Sequence, residues 1–317
     1  MHILVTGGAG FIGSHLVDRL LKEGNKVAVI DNFSLGKHEN IHHNMTNPNF
    51  HLYIDDITDI RTIIELLKNN NFDAILHVAA LPRVQFSIEK PEETFKTNVI
   101  GTMNILEAAR ICNVKRVVFS SSSSVYGNQE KIPLKEDMIP NPMSPYALHK
   151  LIGEQLCKQY NVLFGIETIS LRYFNVFGPR LDVNGDYSCL IPKFIKKILG
   201  NETPTIFGDG EQTRDFTYVD DVVEANILAM STKNNKCFGE TFNIGTGYKK
   251  YSVNEVTKEI LNLTGKNIKP KYGQPVIEPR HTLADITNAK EMLGWQPKVD
   301  FRDGLGKTFE HISSSLK

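Results

Sequence analysis

The stretch Ile3-Leu4-Val5-Thr6-Gly7-Gly8-Ala9-Gly10-Phe11-Ile12-Gly13 limits what this chain can fold into more than any other. A short apolar run meets glycines at 7, 10 and 13, and a helical pattern follows with Ile12, Leu16, Leu20 and Leu21 on one face. In such a strand–turn–helix, Gly7 permits the sharp turn, Gly10 lets the backbone approach a pyrophosphate, and Gly13 lets the helix pack closely on the strand. The free N–H groups at the helix start hold the negative charge. A glycine-rich turn alone is a weak signal, but this one has a strand before it and a helix after it. The second strand, Lys26-Val27-Ala28-Val29-Ile30, ends at Asp31. A carboxylate there accepts hydrogen bonds from the adenosine ribose and repels a 2′-phosphate. No arginine falls between Asp31 and Asn40, although Lys37 does, so NAD is expected rather than NADP.

Strand and helix then keep alternating. Strands are expected at 50–54, 74–78 and 116–119, with helices at about 59–69 and 91–112. This order calls for a parallel sheet covered on both faces, a Rossmann-type doubly wound α/β fold. After Tyr160 the pattern loosens: a strand at 166–171, helices near 191–199, 221–230 and 253–263, and a strand at 242–244. We expect residues 1–171 to form the dinucleotide-binding domain. Residues 172–317 would mainly form a smaller mixed α/β lobe over the crevice, with crossovers back to the sheet. The polar tail from Phe301 is expected to fray.

Lys+Arg and Asp+Glu both number 36, so no bulk field selects nucleic acid or an anionic membrane. Cys112, Cys157, Cys189 and Cys237 form no C-x-x-C pair, which points to buried thiols in a reducing compartment and neither a disulfide framework nor a zinc site. The first residues read as a strand without a basic leader, and no apolar run is long enough for a bilayer. The expected location is cytoplasmic.

The chemistry centres on Ser144-Pro145-Tyr146-Ala147-Leu148-His149-Lys150. Ser144 can cap a helix whose first turn accepts Pro145. Tyr146 and Lys150, four residues apart, then share a face. A phenol has a free pKa of about 10, and a neighbouring cation lowers it, so Tyr146 could take a proton from an alcohol. In isolation such a pair is more often an exposed Tyr–Lys contact. The serines Ser120 to Ser124 directly after a buried strand supply hydroxyls at the carboxyl ends of the strands, where ligands of open α/β sheets bind.

Together with His77-Val78-Ala79-Ala80, Asn98, Val125-Tyr126-Gly127, the run from Arg172 to Arg180 and Gly208-Asp209-Gly210-x-Gln212-x-Arg214-Asp215-Phe216, these motifs cover nearly the whole chain. They resemble the extended short-chain dehydrogenase/reductase family, in its nucleotide-sugar epimerase/dehydratase branch. The resemblance implies that Tyr146 is the base for the sugar 4′-hydroxyl. Lys150 would hold the nicotinamide ribose, and Ser122 would hydrogen-bond the 4′-oxygen. The implied cofactor contacts extend from the glycines and Asp31 to Phe11, Ile12, Asn32, Ser34, Asp56, Ile57, Val78, Ala79, Ala80, Asn98, Ser120 and Tyr173. The implied substrate contacts are Arg83, Ser122, Ser123, Tyr146, Asn175, Leu190, Thr205, Phe207, Arg214, Glu278, Arg280 and Thr282.

Asn175 and Arg214 match groups that hold a diphosphate, although Arg214 could instead form a surface ion pair with Asp215. Dehydratases of the branch carry Asp-Glu after the catalytic Ser/Thr, whereas this chain has Ser123-Ser124. The resemblance therefore implies a 4-epimerase: C4′ is oxidised by NAD, the 4-keto sugar turns, and the hydride returns to the other face. Thr282 stands where a large aromatic excludes acetamido sugars in some relatives, so UDP-glucose/galactose and UDP-N-acetylhexosamines are both expected. The run Pro275-Val276-Ile277-Glu278 lacks the arginine that many relatives use on the nucleotide, and Arg280 could compensate. Arg83 could meet a sugar carboxylate or a phosphate, or be an exposed loop residue, which keeps a UDP-uronate open. A dehydratase or another oxidoreductase that releases a keto sugar is the alternative reaction. A homodimer through the helices near 91–112 and 146–160 is also implied.

Overall fold

A computed structural model describes residues 1–183, 189–276 and 278–316, so Ile277 lies outside the described residues. The chain runs β1 (His2–Thr6), α1 (Phe11–Lys22), β2 (Lys26–Ile30), β3 (Phe50–Tyr53), α2 (Ile60–Lys68), β4 (Ala74–His77), α3 (Val84–Glu89), α4 (Pro91–Phe95), α5 (Gly101–Ile111), β5 (Arg116–Ser122), α6 (Pro145–Phe164) and β6 (Glu167–Tyr173). The rest comprises β7 (Val176–Phe177), α7 (Leu190–Leu199), β8 (Thr205–Phe207), β9 (Thr213–Arg214), β10 (Thr217–Tyr218), α8 (Val219–Ser231), β11 (Thr241–Ile244), β12 (Tyr251–Ser252), α9 (Val253–Thr264), β13 (Lys271–Gly273), α10 (Thr287–Leu293) and α11 (Phe301–Ser315).

The main sheet has seven strands in the order β3-β2-β1-β4-β5-β6-β11, with every neighbouring pair parallel. The order reverses between β1 and β4, which opens a crevice at their carboxyl ends. Alternation along each strand feeds two cores. Ile3, Val5, Val27 and Val29 pack with Leu16 and Leu20 of α1 and Val222 and Ala225 of α8. Leu4, Ala28 and Ile30 pack with Ile63 of α2, Ile105 of α5 and Cys157 of α6 on the other face.

Four readings of the sequence change. β5 continues through Ser122, so Ser120 to Ser122 belong to the strand and pair with β6 rather than following it as a loop. The helix expected over 91–112 is α4 and α5 joined by a π-turn, Lys96–Ile100, whose Asn98 faces inward. Helices α3 and α10 were missed; at six and seven residues they are too short to show a period. Finally, the tail from Phe301 does not fray. Asp300 caps α11 by accepting from the Arg302 amide at 2.8 Å, and Phe301, Leu305 and Ile312 are buried in a separate hydrophobic cluster with Phe177, Tyr218 and Tyr251. The expectation failed because α11 buries only a narrow stripe and its other faces are polar.

Phe301 stacks on Tyr251 at 4.1 Å between ring centroids and lies 5.3 Å from Phe177. Phe301→Ala is expected to cost about 3–5 kcal/mol, measured as a lower midpoint in urea. A loss under about 1 kcal/mol would show that the tail adds nothing to this core.

Candidate active site

The crevice is a cavity of about 770 Å³ that runs from the glycine turn past the ends of β2, β4, β5 and β6 to Arg214 and Thr282. At one end Gly7 has φ +70°, and a Cβ on it would stand 2.7 Å from the Ala79 Cα. A Cβ on Gly13 would meet the Gly7 carbonyl oxygen at 2.1 Å, so the helix can approach only as glycine. A Cβ on Gly10 would meet only the Gly7 oxygen, at 3.2 Å, and its remaining side is open. No side chain caps α1, and its first turn holds no acid. An uncapped helix start beside open glycine backbone fits a pyrophosphate.

Asp31 is buried, accepting from the Ala9 and Phe33 amides at 2.9 Å each, and burial raises its pKa. Lys37, the nearby cation, is held by Asp182 at 3.0 Å. Asn32 donates to Asp56 at 2.9 Å and accepts from the Ser34 amide at 3.0 Å, which joins the loops after β2 and β3. Ile57, Val78, Ala79 and Ala80 line the same region with Phe11 and Ile12. The Val78 and Ala79 amides donate to Thr6 Oγ1, which contacts the buried His77 Nδ1 at 2.7 Å. Burial holds the His77 pKa down to about 3. Asn98 does not line the cavity; its amide grips Leu81 N at 2.7 Å and Leu81 O at 3.0 Å, and so shapes the wall from behind.

In α6, Ser144 accepts from the Ala147 amide at 3.2 Å, and the Ser87 hydroxyl of α3 accepts from the Tyr146 amide at 3.1 Å. The Tyr146 hydroxyl bonds to Ser122. Lys150 Nζ donates to the Ser120 carbonyl at 2.6 Å and lies 5.9 Å from the Tyr146 ring centroid. Burial pushes Tyr146 up to about 12, opposed by the Ser122 hydrogen bond and the Arg83 charge. Burial also brings Lys150 down to about 7. This corrects the expectation that Lys150 would lower the phenol. In the chain by itself desolvation outweighs any cation, and the cation that acts on Tyr146 is Arg83. Tyr173, also buried, pairs its hydroxyl with Asn226 at 3.0 Å beside Ser120.

Beyond Tyr146, the cavity is lined by Arg83, Ser122, Ser123, Asn175, Phe207, Arg214, Glu278 and Thr282. Arg214 is not paired with Asp215. Its Nη2 meets Glu278 at 2.6 Å, while Asp215 is buried and accepts from Thr246, Gly247 and Ala284. Asn175 donates to the Asp215 carbonyl at 3.1 Å. Arg280 stands outside the cavity, held by Asp209 at 2.8 and 2.7 Å. Leu190 and Thr205 begin α7 and β8 and do not line it. Arg83 Nη1 donates to Cys189 Sγ at 3.1 Å. The sequence reading missed Gln85, Thr97, Arg180 and Cys189 in the lining. Arg180 was legible only as part of its motif; its Nη2 bonds Asp18 at 2.6 Å, and its Nη1 is buried without a partner among the described residues.

A glycine turn at the head of a 3-2-1-4-5-6 sheet, with Tyr146 and Lys150 on a helix against a serine-bearing strand, defines an extended short-chain dehydrogenase/reductase. The comparisons narrow the class. Residues 3–245 match the NAD dependent epimerase/dehydratase family. The chain is 43% identical over 319 residues, 99% of each chain, to a putative UDP-glucose 4-epimerase of Methanocaldococcus jannaschii. It superposes with a TM-score of 0.94 and 40% identity, over 100% of both chains, on a UDP-glucose 4-epimerase of Thermotoga maritima solved with UDP-glucose. A UDP-N-acetylglucosamine 4-epimerase of Methanobrevibacter ruminantium in complex with UDP-N-acetylmuramic acid matches with a TM-score of 0.93 and 38% identity, over 99% of this chain and 98% of that one. The chain therefore belongs to the NAD dependent epimerase/dehydratase family and is an enzyme with NAD as its cofactor. No helix among the described residues is long and apolar enough to cross a membrane.

The depressed Lys150 pKa has a measurable consequence for stability. Unfolded, Lys150 titrates near its ordinary value of 10.5; folded, it titrates near 7. Between these values the unfolded chain binds more protons, so the Lys150 contribution becomes more favourable as pH rises. Urea unfolding free energies of wild type minus Lys150→Met, both without ligand, should climb from pH 7 to 10 by at most about 1.4 kcal/mol per unit. A flat difference would show that Lys150 is not desolvated.

Proposed function

We propose that the protein interconverts the C4 epimers of UDP-glucose and UDP-galactose, and of the corresponding UDP-N-acetylhexosamines. The observation that carries this reading is the Tyr146 hydroxyl bonded to Ser122 inside one cavity that also holds the glycine turn and Arg214. Oxidised NAD bound along that turn would supply a positive ring and a hydride acceptor for C4. Gly7, Gly10, Gly13, Phe11 and Ile12 would hold its pyrophosphate, Asp31 its adenosine ribose, and Lys150 the ribose near Tyr146.

Tyr146 takes the proton of the 4-hydroxyl, and Ser122 orients that oxygen. Arg83 favours the phenolate that accepts this proton. Arg214 grips the diphosphate in place of Glu278, since a guanidinium matches phosphate oxygens in a bidentate fork. Once C4 is planar, the ring turns; the hydride taken from C4 would come back to its other face while Tyr146 returns the proton to the oxygen, so no net oxidation occurs. The residues after Ser122 are Ser123 and Ser124, which are too weakly acidic to expel a 6-hydroxyl, and this favours epimerisation over dehydration. Thr282 is small and lines the cavity, which leaves room for an acetamido group. A UDP-uronate is the second reading. It is favoured by Arg83, which faces the cavity with a thiol and, among the described residues, no ion-paired carboxylate.

For the assembly we propose a cytoplasmic homodimer. Exposed Met103 and Ile111 on α5 and Leu148, Val162 and Leu163 on α6 would be covered by a second copy.

Incubation with UDP-glucose, UDP-N-acetylglucosamine and UDP-glucuronate, followed by NMR of the products, tests the reaction and ranks the sugars. Tyr146→Phe should retain NAD and lose at least about 100-fold in kcat; full activity would remove the proposed base. Thr282→Tyr should stop turnover of the N-acetylhexosamine while sparing UDP-glucose, and equal loss on both sugars would refute the assignment.

A further inference from the structure

Glu154 has no part in the chemistry described so far, yet it is 4% exposed and carries a carboxylate. It follows Tyr146 and Lys150 on the same face of α6 at four-residue steps. Its partners come from two strands. Ser121 of β5 donates to Oε1 at 2.5 Å; Arg172 of β6 donates to Oε1 at 2.8 Å and to Oε2 at 2.7 Å. Ser121 and Arg172 are direct partners in the β5–β6 register, so a single carboxylate spans both strands and the helix. Ser120, whose carbonyl accepts from Lys150, and Ser122, which bonds Tyr146, flank Ser121. On its far side the Arg172 guanidinium sits 4.6 Å over the Tyr126 ring, whose hydroxyl donates to Asn243 of β11 at 2.7 Å.

We propose that Glu154 is a positioning residue: it locks Ser120–Ser122 against α6 and supplies the negative charge that keeps Lys150 an ammonium. A wish for stability does not explain such a pair, because buried ion pairs replaced by apolar groups of equal volume often cost nothing. Registry does explain it. The tie joins the three elements that carry the Tyr146–Ser122–Lys150 arrangement, and the inference rests on the reading of those residues given above.

The surroundings of Lys150 point the same way. On α6 it faces Tyr146, His149, Glu154 and Cys157; β4 contributes His77, β5 the Phe119 ring and the Ser120 carbonyl, and β6 contributes Arg172 by way of Glu154. Burial keeps the Tyr146 phenol and the Cys157 thiol protonated and the His77 ring neutral. Burial brings Lys150 down to about 7, opposed by the Cys157 sulfur and by the Glu154 carboxylate one turn further along α6.

The test uses the NAD-loaded enzyme with lysine labelled at Cε, the Lys150 signal being identified by its loss in Lys150→Met. In Glu154→Gln the Lys150 titration midpoint should fall by about one unit, and in activity the alkaline limb of the pH profile should move down with it. The double variant Glu154→Gln, Arg172→Met removes both charges of the pair, which guards against unfolding around an unpaired guanidinium, and should show a smaller fall in the same direction. Ser121→Ala cuts the β5 arm of the tie and leaves the Glu154–Arg172 pair and its charge in place; its kcat should fall about 10- to 100-fold with the alkaline limb unmoved. An unmoved Lys150 midpoint in both Glu154 variants overturns the electrostatic role, and an unchanged kcat in Ser121→Ala overturns the positioning role. If the wild type epimerises no UDP-sugar, the proposed function fails, and the Lys150 titration still decides this inference.

Discussion

The bond from Lys150 Nζ to the Ser120 carbonyl, 2.6 Å long and buried, is the constraint on which the rest of the site depends. It draws α6 down onto the end of β5, and with it Tyr146 comes to Ser122. The Ser120 carbonyl meets one donor of the buried amine; leaving that donor unmet would cost about 1–3 kcal/mol. The same burial takes the solvent that would otherwise stabilise charge away from both Tyr146 and Lys150. Their acid–base behaviour therefore belongs to the closed crevice, not to the residue types.

The cofactor end uses a different means. There glycine and alanine backbone forms much of the wall, and rigidity comes from hydrogen bonds behind it. Thr102 donates to the Asn98 carbonyl at 2.7 Å, so its oxygen is left to accept from His77 Nε2 at 3.0 Å. Thr6 then donates to Nδ1 and accepts from Val78 and Ala79. Every polar group in this chain is satisfied by a neutral imidazole, which agrees with a His77 pKa held down to about 3. Asn98 completes the wall by gripping Leu81, and the π-turn that carries it is the local price of that grip.

Much of the fold was legible because its signals are local. Three-residue glycine spacing, alternating apolar strands and helical stripes all survive in one dimension, so the parallel sheet and the Tyr146–Lys150 helix could be read directly. Elements failed where the signal is short or one-sided. Helices α3 and α10 hold too few turns to show a period, and α11 hides Phe301, Leu305 and Ile312 among polar neighbours. In the site, the types of residue were readable but their partners were not. Glu278 on Arg214, Asp209 on Arg280 and Glu154 between Ser121 and Arg172 join positions far apart in the chain.

The sequence by itself determined the fold class, the dinucleotide turn and the order in which a phenol, an amine and a hydroxyl enter the crevice. Spacing and residue type suffice for those. Only the tertiary structure decided which cation acts on the phenol, which arginines are already occupied and which strands the Glu154 carboxylate joins to α6. Those outcomes follow from desolvation and distance, and both are created when separate segments close over one another.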